Sequence, residues 1–133
     1  MAILEKELIT SFKAIFNGKD NMHEEVAFGN RCIDMVLVRD SVITTIEFKI
    51  NNWRKALTQI EDHLLVADFS YLCMPKKRIS EELLTILRKN GIGLWHYDFE
   101  VNELIEVVKP DKSSYQFEFY KNAMLEKLSK RSN

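Results

Sequence analysis

Apolar side chains recur at spacings of four, four and three in Leu4, Leu8, Phe12 and Ile15, which predicts an amphipathic helix over residues 3–16. The turn formers of "NGKDN" at 17–21 end it. Three strands are then expected: one around "VAFG", closed by a Gly29-Asn30 turn, a second over "RCIDMVLVRD" and a third within "SVITTIEFKINN". Their short connections predict an antiparallel meander. From Trp53 to Ala67 the period changes, and Trp53, Ala56, Leu57, Ile60, Leu64 and Ala67 form a helical stripe that should pack on the sheet. "FSYLCMP" reads as a buried strand. "SEELLTILRKNG" carries an N-cap in Ser80, acids in its first turn, bases in its last and a stop in Gly91. "IGLWHYD" and "ELIEVVKP" predict two more strands, and the chain should close with a helix after Phe117. The expected fold is α/β, a mixed sheet flanked by helices, in one domain spanning residues 1–133.

Composition narrows the class further. Hydrophobic residues make up 46% and charged residues 29% of the 133, as in an ordinary globular protein. No segment reaches the roughly 18 apolar residues of a membrane span, and "MAILEKELITSF" lacks the form of a signal peptide. A cytoplasmic protein without a membrane partner is therefore expected. Cys32 and Cys73 each sit in an apolar run without metal-ligand spacing and are expected as buried, reduced thiols. The net charge of −1 means that any basic surface must be local.

One strand departs from the apolar pattern. Glu47 and Lys49 fall on the same face of a β-branched run that should be buried. With a tight turn at Asp40-Ser41, Arg39 pairs with Val42 and Asp34 lies opposite Glu47. Carboxylates held that close in a half-buried sheet repel, and a pKa rises unless a positive group lies between them. A hard divalent cation such as Mg²⁺, which takes oxygen ligands from one or two carboxylates, meets that need.

Asp34 in "CIDMVLV" and Glu47-Phe48-Lys49 in "EFK", on the second and third strands of a helix, meander, helix, strand order, resemble the PD-(D/E)XK nucleases. The likeness covers roughly residues 3–75; Ile33 stands where the family name puts proline, a variable position. It implies a restriction-endonuclease-like αβββαβ core and metal-dependent hydrolysis of DNA phosphodiesters. Asp34, Glu47 and the backbone carbonyl of Phe48 would hold Mg²⁺, with Mn²⁺ able to substitute. Lys49 would orient the attacking water. Many members add a glutamate from the first helix, and at roughly 100° per residue Glu5 falls on the Phe12 side while Glu7 points away.

The helix after the motif continues the likeness. "QIEDH" resembles the Gln-x-x-x-Tyr element of RecB-type nucleases, with His63 in place of tyrosine, so Gln59 would contact the phosphate or hold the lysine. Lys55, a turn before Gln59, and Lys76 and Lys77 in "PKKR" are expected to meet the DNA backbone; Arg88-Lys89 and "KLSKR" are further basic clusters. The aromatic runs "LWHYDFE" and "YQFEFY" alternate in a way that suits core strands or a dimer surface better than base stacking, with core packing expected first and Trp95 and Tyr97 on the face opposite His96. A homodimer and a partner protein that supplies specificity both suit so small a core. Two other readings stand beside the nuclease: a structure-selective enzyme like the Holliday-junction resolvases, and a non-catalytic module for DNA or protein binding.

Overall fold

The computed structural model describes residues 3–16 and 21–131, so residues 17–20 of the expected "NGKDN" turn lie outside the described residues. Helix α1 (Glu5–Ile15) is followed by β1 (Asn21–Phe28), β2 (Arg31–Arg39) and β3 (Val42–Phe48), and then by α2 (Trp53–His63) and β4 (Phe69–Pro75). After these come α3 (Glu81–Asn90), β5 (Gly93–Asp98), β6 (Glu103–Val108) and α4 (Glu118–Ser129). The strands form one mixed sheet in the order β1-β2-β3-β4-β5-β6. The meander is antiparallel as expected, β3, β4 and β5 run parallel through the α2 and α3 crossovers, and β6 returns antiparallel.

The turn that sets the register is the one the sequence points to. Arg39 pairs with Val42, and Asp40 and Ser41 between them both take positive φ, 50° and 65°. That is the mirror-image turn whose twist matches a hairpin, reached without the glycine it prefers. Ser41→Gly should therefore stabilise the fold by about 0.5–1 kcal/mol, less strain being offset partly by a freer unfolded chain. Chemical denaturation checks it; a lower midpoint would mean that Ser41 is held by something besides its backbone.

The two faces of the sheet are covered unequally. Leu8 and Phe12 of α1 pack on Met35, Leu37, Ile46, Phe48, Tyr71 and Cys73, and the Phe12 ring lies 5.4 Å from Phe48 and 5.3 Å from Trp95. The opposite face carries α2 and α3 through Leu57, Ile60, Leu83 and Leu87, and α4 through Met124 and Leu128. Ser80 caps α3 by accepting the Leu83 amide, and Gly91 ends it at φ 68°, as its sequence punctuation predicts. Helix α2 stops at His63, four residues before the expected Ala67, because the chain turns there to enter β4.

Alternation along β2 breaks at Asp34. Val36 belongs to the α4-side cluster while Met35 and Leu37 face α1, yet Ile33 joins Val36 on the α4 side. On β1, Met22 packs on the α1 side and Val26 and Phe28 pack on the other, with Glu25 between them at φ 51°. The ladder keeps its register through Glu24↔Met35 and Val26↔Ile33 and skips only the opposed Glu25 and Asp34. Both strands thus switch faces at one point. Cys32 is exposed rather than buried, because the switch carries it away from the core that a regular strand would give it; Cys73 is buried as expected.

Candidate functional site

Asp34 and Glu47 meet where the β2–β3 ladder ends. Backbone pairing runs from Arg39↔Val42 to Met35↔Ile46 and then stops, one step before the two acids. Side chains take over the hydrogen bonds: Glu47 Oε1 accepts the Asp34 amide at 3.2 Å, and Asp34 Oδ2 accepts the Phe48 amide at 2.9 Å. Each strand therefore holds the acid of the other, which leaves the second oxygen of each carboxylate without a backbone donor.

Glu47 is 2% exposed, and nothing in a hydrophobic core requires a carboxylate there. Burial, reinforced by the neighbouring Asp34 charge, pushes its pKa up to about 8, against the opposing pull of the Asp34 amide and the Lys49 ammonium. Asp34 is raised as well, again first by burial, with the Phe48 amide opposing and Glu5 adding repulsion. Both shifts run in the same direction, so without a cation burial and mutual repulsion push the pair toward sharing a proton. Lys49 is half-buried, and its charge acts on both acids.

Helix α2 roofs this pair. His63 is 1% exposed, with Nε2 3.9 Å from Glu47 Oε1. Burial drives its pKa down to about 4, with Asp62 pulling the other way, so the imidazole is neutral. Among the described residues neither ring nitrogen has a hydrogen-bond partner, and neither has the buried Oε1 of Gln59, one turn earlier on the same face. Three orphaned polar atoms beside a buried acid form a site that wants a polar occupant. Lys55, a turn before Gln59, is exposed, and its charge is not among those that shift the acids.

Lys76 and Lys77 fall on the same rim. Strands β3, β4 and β5 are parallel, and their carboxyl ends open on one edge, where ligands of α/β sheets commonly bind. A cavity of about 650 Å³ lies there, walled by Lys76, Lys77 and Arg78 after β4 and by His96 and Asp98 of β5. Asp34 and Glu47 are not among its lining residues, but Lys77 Nζ donates to the Ile50 carbonyl just beyond Lys49 at 3.0 Å, which ties the cavity wall to the motif. His96 is lowered by burial and then by Lys77 and Lys76, a mark of local positive potential. His96 and Asp98 are groove residues that the sequence did not single out; the alternation of "LWHYD" against Trp95 and Tyr97 was their only signal.

Other expectations separate. Glu5 is exposed at the start of α1, and its charge raises the Asp34 pKa. Arg88 and Lys89 end α3, which runs from the carboxyl end of β4 back toward the start of β5, so they lie away from the rim. The tail lies along β1, with Lys127 Nζ on the Ala27 carbonyl and Arg131 on that of Glu25. "LWHYDFE" is largely core, but Tyr115, Phe117, Phe119 and Tyr120 of "YQFEFY" are exposed, contrary to expectation. The closing helix begins at Glu118, after Phe117 as expected, but its buried positions are Met124 and Leu128 rather than the aromatic residues.

Among the described residues no helix is long and apolar enough to cross a membrane, and no group of three or more His, Cys, Asp or Glu side chains is arranged to hold an ion. The acid pair supplies two carboxylates, the number with which Mg²⁺ is commonly held when water and substrate phosphate complete its shell. No protein-family model matches the chain, and no curated protein matches it. In three dimensions it is similar to the SPO1766 protein of unknown function from Silicibacter pomeroyi, at a TM-score of 0.66 and 13% identity over 97% of this chain and 86% of that one. At that identity the likeness shows the fold alone.

Proposed function

We propose that the protein is a divalent-metal-dependent nuclease that hydrolyses DNA phosphodiesters on a restriction-endonuclease-like core made of α1 to β4. The observation that carries this reading is the cross-braced acid pair: a buried Glu47 and a half-buried Asp34, each anchored on the other strand's backbone, with Lys49 acting on both. Asp34, Glu47 and the Phe48 carbonyl would hold Mg²⁺ or Mn²⁺. The ion, when bound, supplies a Lewis acid for the phosphate and a more acidic water.

The chain's own groups do the rest. Lys49 orients the water and offsets the charge that develops on the phosphate. Gln59 offers its unpartnered Oε1 as an acceptor to Lys49, or its Nε2 as a donor to the phosphate. Glu5 adds to the acidic field at the mouth, and Lys76 and Lys77 receive the flanking backbone, with Lys55 available where the strand leaves. Water oxygen bonds to phosphorus as one ester P–O bond breaks; the water loses a proton and the departing alkoxide gains one.

Incubation with linear, circular, single-stranded and branched DNA tests this reading. Cleavage in Mg²⁺ and in Mn²⁺, none in EDTA, and none by Asp34→Ala is the expected result. An equal cleavage rate in EDTA, or no cleavage of any substrate with either metal, would remove the hydrolase. Nicking confined to branches would place the enzyme among the structure-selective ones.

A further inference from the structure

The exposed aromatic side chains near the start of α4 are held firmly in place. The segment before the helix is fixed to the end of α2: Ser113 Oγ donates to the Leu64 carbonyl at 2.7 Å, Gln116 Nε2 to that of Val66 at 3.1 Å and the Phe117 amide to that of Leu65 at 2.9 Å. The rings above these anchors still face outward, Phe119 at 79% exposure and Phe117 at 58%. Tyr120 meets Phe28, Phe117 and Phe119 edge to face, and the exposure of Phe119 and Phe117 leaves ring surface open to solvent. Its exposed large apolar side chains are all aromatic; the exposed Leu4, Ile15, Val42, Val101 and Val107 belong to other segments.

The patch adjoins the acid pair. Tyr120 and Phe28 line a cavity of about 250 Å³ together with Arg31 and Asp62. Arg31 begins β2 three residues before Asp34, roughly 10 Å along a strand, and its Nε lies 2.7 Å from Asp62, the neighbour of His63. Because β1 ends and β2 begins at the edge where β3 ends, one rim carries the aromatic patch, the acids and then the Lys76-Lys77 groove, in that order. With a net charge of −1, the protein has little long-range attraction for a polyanion, and a nucleic-acid track here needs contacts beyond charge. Stacking on aromatic rings is the sequence-tolerant contact that unpaired bases provide and a duplex withholds.

We infer that Phe117, Phe119 and Tyr120 form a stacking platform for unpaired bases, and that the strand passing the acid pair is single-stranded DNA or a frayed end. The substrate class rests on the nuclease reading; the stacking itself does not.

Binding measured in EDTA separates the two. A fluorescein-labelled dT oligonucleotide of about a dozen residues should bind roughly tenfold more weakly to Phe117→Ala/Phe119→Ala than to the wild type, as should Phe119→Ala alone to a smaller degree. Both variants should keep the wild-type melting temperature, and Phe119→Trp should restore affinity. An oligonucleotide with abasic sites should bind wild type and variant equally. Equal loss on duplex and single strand, or no loss at all, overturns the platform. So does a wild-type dimer, seen by sedimentation, that the double variant breaks with no change in affinity per protomer, since the patch is then a self-association surface. If the stacking result holds but no metal supports cleavage, the platform stands and the nuclease falls.

Discussion

Glu47→Gln should abolish metal-dependent cleavage, by roughly 10³-fold or more, and make the metal-free protein more stable. The two outcomes come from one cause. An amide cannot supply the anionic oxygen that a cation needs, but it can still accept the Asp34 amide that Glu47 accepts. It also removes an ionisation that the fold opposes. Because the folded pKa of Glu47 is about 8 against an ordinary 4.5, its ionisation favours the unfolded chain, and stability present below pH 4.5 is lost as pH rises through 8. The loss is on the order of 3–5 kcal/mol for the metal-free wild type, and most of it should vanish in the variant. His63 acts in the opposite sense and a lower window: with its folded pKa at about 4, stability present above pH 6.5 is lost as pH falls through 4. Denaturation at pH 5, 7 and 9 reads both slopes. Mn²⁺ should raise the wild-type melting temperature, by the equivalent of about 2.7 kcal/mol at a hundredfold excess over Kd, and leave the variant unmoved. A variant that still cuts, or that is less stable than wild type at pH 9 without metal, contradicts the assignment of Glu47.

The acid pair was legible in the sequence because two local signals converge on it. Asp40-Ser41 marks a two-residue turn, and pairing outward from it brings residue 34 to residue 47, as the ladder from Arg39↔Val42 to Met35↔Ile46 bears out. Opening of the ladder one step later is tertiary, since it depends on two side chains replacing backbone partners. The paired switch of faces at Glu25 and Asp34 was hidden for a related reason. Period-2 reasoning assumes regular strands, and a positive φ at Glu25 is a property of the assembled hairpin. Cys32 was expected buried because it sits in an apolar run; the switch turns it out, while Ile33 beside it is buried in the layer of Val36.

His63 and the "YQFEFY" run show a second limit. The spacing of Gln59 and His63 places them on one face of α2, but only the crossing of that helix over the end of β3 brings the imidazole within 3.9 Å of Glu47. From the sequence, His63 stands only where the Gln-x-x-x-Tyr element has its tyrosine. For the aromatics, alternation along the run argued for core strands. What reversed it was the anchoring of residues 113–117 to the end of α2, a contact between segments about 50 residues apart.

Lys49→Ala should lower cleavage by roughly 10²–10³-fold while preserving the Mn²⁺-induced thermal shift at pH 8.5, which separates water orientation from metal holding. The ammonium is not expected to ligate the ion, so its loss leaves the Asp34 and Glu47 oxygens in place. It does change their charge state. Lys49 lowers the pKa of both acids, and without it both rise, so fewer are ionised at neutral pH. The thermal shift at pH 6.5 should therefore weaken in the variant and recover toward the wild-type value as pH is raised, whereas the cleavage rate should stay low throughout. A rate that recovers in step with the thermal shift would show that Lys49 acts only by keeping the acids ionised. A thermal shift absent at every pH would make Lys49 part of the fold of the site. The predicted separation, metal retained and turnover lost, belongs to a group placed beside the phosphate rather than beneath the ion.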